Sequence, residues 1–154
     1  MNILFLILGL SNFALLVYLW WFSVKNYKNL PATIPIHFGF DGKPDGYGVK
    51  KWFWMIPIIG TVFFLAIGLG ANYPESANYV VKITEANKDF QYGLGSVFSQ
   101  VLLLVILCMF FVIQDYTVKL TKDDYAKSIF PMWIFVILLF FSTIAFIIIS
   151  ASNN

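Results

Sequence analysis

The chain has 154 residues, 60% of them hydrophobic and only 12% charged, with a formal net charge of +2 and every cationic side chain a lysine. A soluble domain carries about 45–50% apolar and about 25% charged residues, so an ordinary soluble core is excluded. Lysines that flank apolar runs are membrane-surface residues rather than a nucleic-acid patch, and no nucleic-acid partner is expected.

Four runs are free of charge: 1–24, 52–74, 90–114 and 128–154. Each is long enough for a helix rising 1.5 Å per residue to cross a hydrocarbon core of about 30 Å. The predicted fold is therefore all-α: one integral membrane domain over 1–154, a four-helix transmembrane bundle with spans at 3–23, 53–72, 94–114 and 129–150. The first run lacks a basic leader and a small-residue cleavage site and is longer than a signal-peptide core, so it is read as a retained span. All five tryptophans, Trp20, Trp21, Trp52, Trp54 and Trp133, fall at span ends that share one membrane face, the level at which indole rings anchor.

Between the first two spans lies the loop 25–51, which holds three of the six prolines and the only histidine. Ile34, Ile36, Phe38 and Phe40 alternate with Pro35, His37 and Gly39, the period of an extended segment with one apolar face. Pro31 and Pro35 disfavour helix in the residues before them. Asp41-Gly42 predicts a tight turn, and Pro44-Asp45-Gly46 a second one. The expectation is an ordered, extended and turn-rich cap. Its apolar side chains would dip into the membrane interface, with membrane lipid as a partner, or into the helix tops, while His37, Asp41, Asp45 and Lys50 would present polar contacts to a peptide or protein partner.

In the second span Gly60, Gly68 and Gly70, and in the third Gly95 and Ser99, predict close helix packing, with Asn12, Gln100, Ser142 and Thr143 available for hydrogen bonds between helices. The loop 75–89 mixes apolar and charged residues without a decisive period, and the loop 115–127 could extend the third helix into water.

Catalytic chemistry is hard to build from this inventory. No ionisable residue falls inside a predicted span, and Ser96, Ser99 and Ser142 have no histidine or lysine at membrane depth. His37 with Asp41 and Asp45 would be a thin metal-ligand set. The lone Cys108 allows neither an internal disulfide nor a cysteine-built cluster. The loop glycines do not follow a strand and open a helix as nucleotide-binding loops do. No enzymatic activity, cofactor or metal is expected.

Leu30-Pro31, Ile34-Pro35, His37-Phe38, Gly42, Pro44-Asp45, Gly48 and Lys50 form the pattern LPxxIPxHFxxxGxPDxxGxK directly after a first span. This resembles the domain of unknown function shared by SdpI-type immunity proteins and their short relatives. The resemblance assigns Pro31, Pro35, Phe38, Gly42, Pro44 and Gly48 to the architecture of the loop. It implies protection against, or sensing of, a membrane-active peptide toxin; a small subunit partnering a transporter or tethering a transcriptional regulator is the alternative. The second motif of the full-length immunity proteins is not found here. Eight of the ten lysines lie in the first and third loops, which by the positive-inside rule places those loops in the cytoplasm. The resemblance places the motif loop outside, and outside is the orientation adopted.

Overall fold

A computed structural model describes residues 3–39, 41–123 and 125–153, so Phe40 lies outside the described residues. Among the described residues are four helices long and apolar enough to cross a membrane. The first, α1, runs Ile3–Tyr27. It stops where the amides of Asn29 and Leu30 turn back onto the carbonyls of Asn26 and Tyr27, just ahead of Pro31.

The motif loop is a β-hairpin. Strand β1, Thr33–Phe38, pairs antiparallel with β2, Pro44–Val49, in the register Thr33 with Val49, Ile34 with Gly48 and Pro35 with Tyr47. The register then shifts, with His37 opposite Gly46 and Phe38 opposite Pro44. Two sequence expectations change here. Pro44-Asp45-Gly46 is the start of a strand rather than a turn; proline costs no ladder bond at the first strand position. The strict alternation also fails: the register is irregular after Pro35, and Ile36 is 45% exposed against 1% for Ile34, although both border the apolar space beneath the hairpin.

The second span begins as a 3-10 helix, Lys50–Trp54, continues as α2, Met55–Phe63, and ends in a π-helical turn, Phe64–Leu69. Two of its three glycines are contact points, whereas Gly70, expected to pack closely, has open space where a Cβ would stand. A Cβ on Gly68 would stand 2.9 Å from Leu103 Cδ2, and one on Gly60 would stand 3.3 Å from Leu19 and 3.4 Å from Leu107. Around them Leu16, Leu19, Leu103, Leu107 and Phe110 form the buried core of the bundle.

Helix α3, Lys88–Leu120, has 33 residues, about 50 Å at 1.5 Å per residue and well beyond a hydrocarbon core of about 30 Å. Helix α4, Met132–Ser152, packs on α3, where Phe98 and Phe146 stack with centroids 4.3 Å apart and planes 9° from parallel. Otherwise α4 is nearly bare: only 6% of its most apolar stretch is buried. The bundle is thus a packed trio with α4 appended to one side.

Three buried glutamines on α3 clamp its neighbours. Gln100 Oε1 accepts from Asn12 Nδ2 at 2.7 Å, and its Nε2 donates to Gly68 O at 3.1 Å, joining three helices in one network. Gln114 Nε2 donates to Ser23 Oγ at 2.9 Å and to Phe53 O at 3.0 Å. Gln91 exchanges two bonds with Ser150, accepting from its hydroxyl at 2.7 Å and donating to its carbonyl at 3.0 Å. Ser142 and Thr143, expected to bridge helices, instead donate to Leu139 O within α4. A hydroxyl on an isolated helix finds its acceptor one turn back.

Candidate functional site: the hairpin cap

The hairpin sits on the part of α3 that follows Gln114. Leu30 and Ile34 bury themselves against Phe53 and Val118, and the Phe38 ring lies on Tyr116 with centroids 5.3 Å apart. Aromatic contacts brace the approach from below: Trp54 stacks with Trp20 at 6.0 Å and tilts onto Tyr27 at 4.8 Å. Burying one isoleucine contributes about 1.5–3 kcal/mol, so Ile34 is the principal anchor.

Gly39 and Lys43 close the hairpin, the Gly39 amide donating to Lys43 O at 2.9 Å, with residues 40–42 between them. Gly42 takes φ +77°, the left-handed residue that a three-residue hairpin connection requires. Gly46 and Gly48 serve a different need. A Cβ at Gly46 would lie 3.0 Å from His37 Cβ, and one at Gly48 would lie 2.7 Å from Ile36 Cδ1. Both glycines make room for β1 side chains that cross over β2.

At the tip, His37 Nδ1 and Asp45 Oδ1 are in hydrogen-bond contact between the two strands, with the side chains 72% and 53% exposed. Asp41 Oδ1 accepts from the Lys43 amide at 3.0 Å, and Lys43 Nζ stands 3.5 Å from Asp41 Oδ2. That backbone hydrogen bond, reinforced by the Lys43 charge, holds the Asp41 carboxyl below the usual aspartate range. His37, Asp41 and Asp45 therefore share one exposed tip, with Lys43 joining them. Lys43 was missed in the sequence because it precedes a proline in what reads as turn punctuation.

Lys50 lies elsewhere, at the base of the hairpin. Its Nζ donates to Leu30 O at 3.3 Å and stands 5.1 Å over the Tyr27 ring, closing the loop onto the end of α1. Pro31 is exposed, Pro35 is buried opposite Tyr47, and Pro44 opens β2. Among the described residues no group of three or more histidine, cysteine, aspartate or glutamate side chains is placed to hold a metal ion.

These features define a small helical protein of multi-pass membrane type, with a hairpin docked on one end of the bundle. Residues 14–61 match the family described as Domain of unknown function (DUF1648). The matched segment runs from the middle of α1 through the hairpin into α2, and its two helices are tied by Trp20 Nε1 donating to Thr61 Oγ1 at 2.9 Å. A protein of Archaeoglobus fulgidus described as uncharacterized is 30% identical over 122 residues, an alignment covering 70% of this chain and 66% of that protein. The chain thus spans a little under two thirds of that relative's length. No solved structure matches.

Proposed function

We propose that this is a non-enzymatic membrane protein whose hairpin recognises a membrane-active peptide, giving immunity to it or sensing it. The observation that carries the reading is the division of labour within the hairpin. Ile34 is consumed in docking at 1% exposure, while His37, Asp41 and Asp45 stand exposed and hold one another or the turn in place. Polar groups fixed on an anchored scaffold offer directional contacts at a small ordering cost. The resemblance of the motif to SdpI-type immunity proteins supports the same reading, and it orients the hairpin to the outside of the cell.

Expression in a peptide-sensitive bacterium should raise the concentration of at least one membrane-active peptide needed to stop growth. The double variant His37→Ala, Asp45→Ala should abolish that protection at an unchanged protein level. Unchanged sensitivity across a broad panel of such peptides defeats the proposal. Orientation is tested separately with a single cysteine at position 43 in a Cys108→Ser background, which a membrane-impermeant thiol reagent should label in intact cells.

The bare surface of α4 favours a second reading, a small subunit that partners a transporter or tethers a regulator. Gentle detergent extraction should then yield a stoichiometric partner, and a lone monodisperse protein removes this reading.

A further inference from the structure

Two cavities flank the hairpin. One, of about 250 Å³, lies between its underside and the helix ends and is walled by Ile34, Ile36, Trp52, Met55, Ile56 and Ile113. Gln114 also borders it, but the Gln114 amide is already spent on Ser23 and Phe53, so the slot is in effect hydrocarbon-lined. The other is an open cleft of about 860 Å³ between the hairpin tip and the connection from α3 to α4. Lys43 and Lys127 line it together with Tyr116, Tyr125 and Trp133. Phe38 lines both cavities. This half-buried ring therefore borders both an apolar slot and a cationic cleft.

We propose that slot and cleft together bind one anionic phospholipid, its headgroup phosphate held by Lys43 and Lys127 and one acyl chain lying past Phe38 in the slot. Charge complementarity selects the headgroup. Among the described residues the cleft sets two lysines against one carboxylate, Asp41, whose Oδ2 stands 3.5 Å from Lys43 Nζ, so the lining carries one positive charge in excess, with Lys127 outside that pair. A zwitterionic headgroup brings its own cation and gains less there. Trp133, 59% exposed at the start of α4, marks the level at which headgroups lie. Free phosphate would fill only the cleft and leave the slot without an occupant, so the lipid is the source of the anion. The site does not depend on peptide recognition.

The test uses the purified full-length protein, incubated in mild detergent with equal amounts of phosphatidylglycerol and phosphatidylcholine of identical chains, with bound lipid counted by native mass spectrometry. Phosphatidylglycerol should be retained over phosphatidylcholine by roughly ten-fold, the scale set by lysines at a membrane surface. K43Q/K127Q should erase that preference and leave phosphatidylcholine retention unchanged. Both lysines are exposed, so this variant keeps the fold. Ile36→Trp, which fills the slot, should lower retention of both lipids, and millimolar inorganic phosphate should displace neither. Equal retention of the two lipids overturns the proposal, as does a preference that survives K43Q/K127Q, unchanged retention in Ile36→Trp, or full displacement by phosphate. Failure of the peptide reading, tested through His37 and Asp45, leaves these outcomes untouched.

Discussion

At the capped end of the bundle α3 continues past Gln114 and a hairpin docks on it; at the opposite end the same helix starts beneath an irregular loop. Both ends spend a buried glutamine on holding a neighbour, Gln114 at one and Gln91 at the other. They differ in what is left over. In the irregular loop Asn87 donates to Lys82 O at 3.0 Å and accepts from the Thr84 amide at 2.8 Å, and Tyr79 donates to Pro74 O at 2.9 Å while covering Gly95. Those side chains are used up in shaping the loop. The hairpin obtains its shape mainly from backbone pairing and Ile34, with Asp41 fixing the turn through the Lys43 amide, which frees His37 and Asp45 to face outward. A β-ladder satisfies its own amides, so polar side chains on it remain available to a partner.

The sharpest way to break that contrast is Ile34→Asp. A carboxylate at a site 1% exposed has no partner there, and leaving it buried costs roughly 3–5 kcal/mol. The hairpin should undock and its amides lose protection in hydrogen exchange, while α1, α2 and α3 keep theirs. Retained hairpin protection would mean that Ile34 is not the anchor.

A smaller effect separates the clamps. Gln100→Leu strips Asn12 Nδ2 of its side-chain acceptor, leaving only the backbone carbonyl of residue 100, and removes one donor from Gly68 O; it should lower bundle stability by about 1–2 kcal/mol. Gln91→Leu touches only α4 and the chain end that follows it, so it should cost less and loosen α4 alone. Reversible unfolding in mixed micelles measures both, and equal losses would contradict the picture of a trio with α4 appended.

The smallest effect is on pH, and it has opposite signs at the two ends. Asp41 has a folded pKa below its unfolded value, so its contribution is present above the ordinary aspartate range and is lost as pH falls through the folded value. Tyr79 is raised, chiefly by burial, with the nearby Tyr92 and Glu75 adding to the shift. Its contribution is present below the ordinary phenol range and is lost as pH rises through the folded value. Amide protection factors, taken relative to the intrinsic exchange rate at each pH, should therefore fall at Lys43 in acid and over Glu75 to Tyr79 in alkali. The reverse assignment would refute the hydrogen-bond geometry of both loops.

Much of the fold could be read from the chain, because charge-free runs of this length have few alternatives in a protein this apolar. The extended character of the motif loop was also visible in its prolines and alternation. What could not be read was the pairing: Pro44 looks the same opening a turn or a strand, and only the partner strand decides. The register shift after Pro35, past which Ile36 is left 45% exposed, leaves no local signal either. Gln91 and Gln114 fall at or beyond the predicted span ends, where an amide is unremarkable, and they acquire meaning only from Ser150, Ser23 and Phe53, 59 to 91 residues away. Lys50 belongs to the motif by spacing, but its role at the base of the hairpin depends on Leu30 and Tyr27 folding back beneath it.

The 33 residues of α3 have a consequence for how such a protein can change. The hairpin belongs to the chain between the first two spans but docks on the side of the third, so the residues it meets are set by the residue count of α3. Adding one residue between Gln114 and Tyr116 would shift Tyr116 and Val118 by about 1.5 Å along the axis and swing them by about 100° away from the hairpin. Only steps near a whole number of turns, such as seven residues, would return a side chain to the same face. The docking surface is thus adjustable in coarse increments, and small insertions there should be tolerated far less well than in the loop at the opposite end.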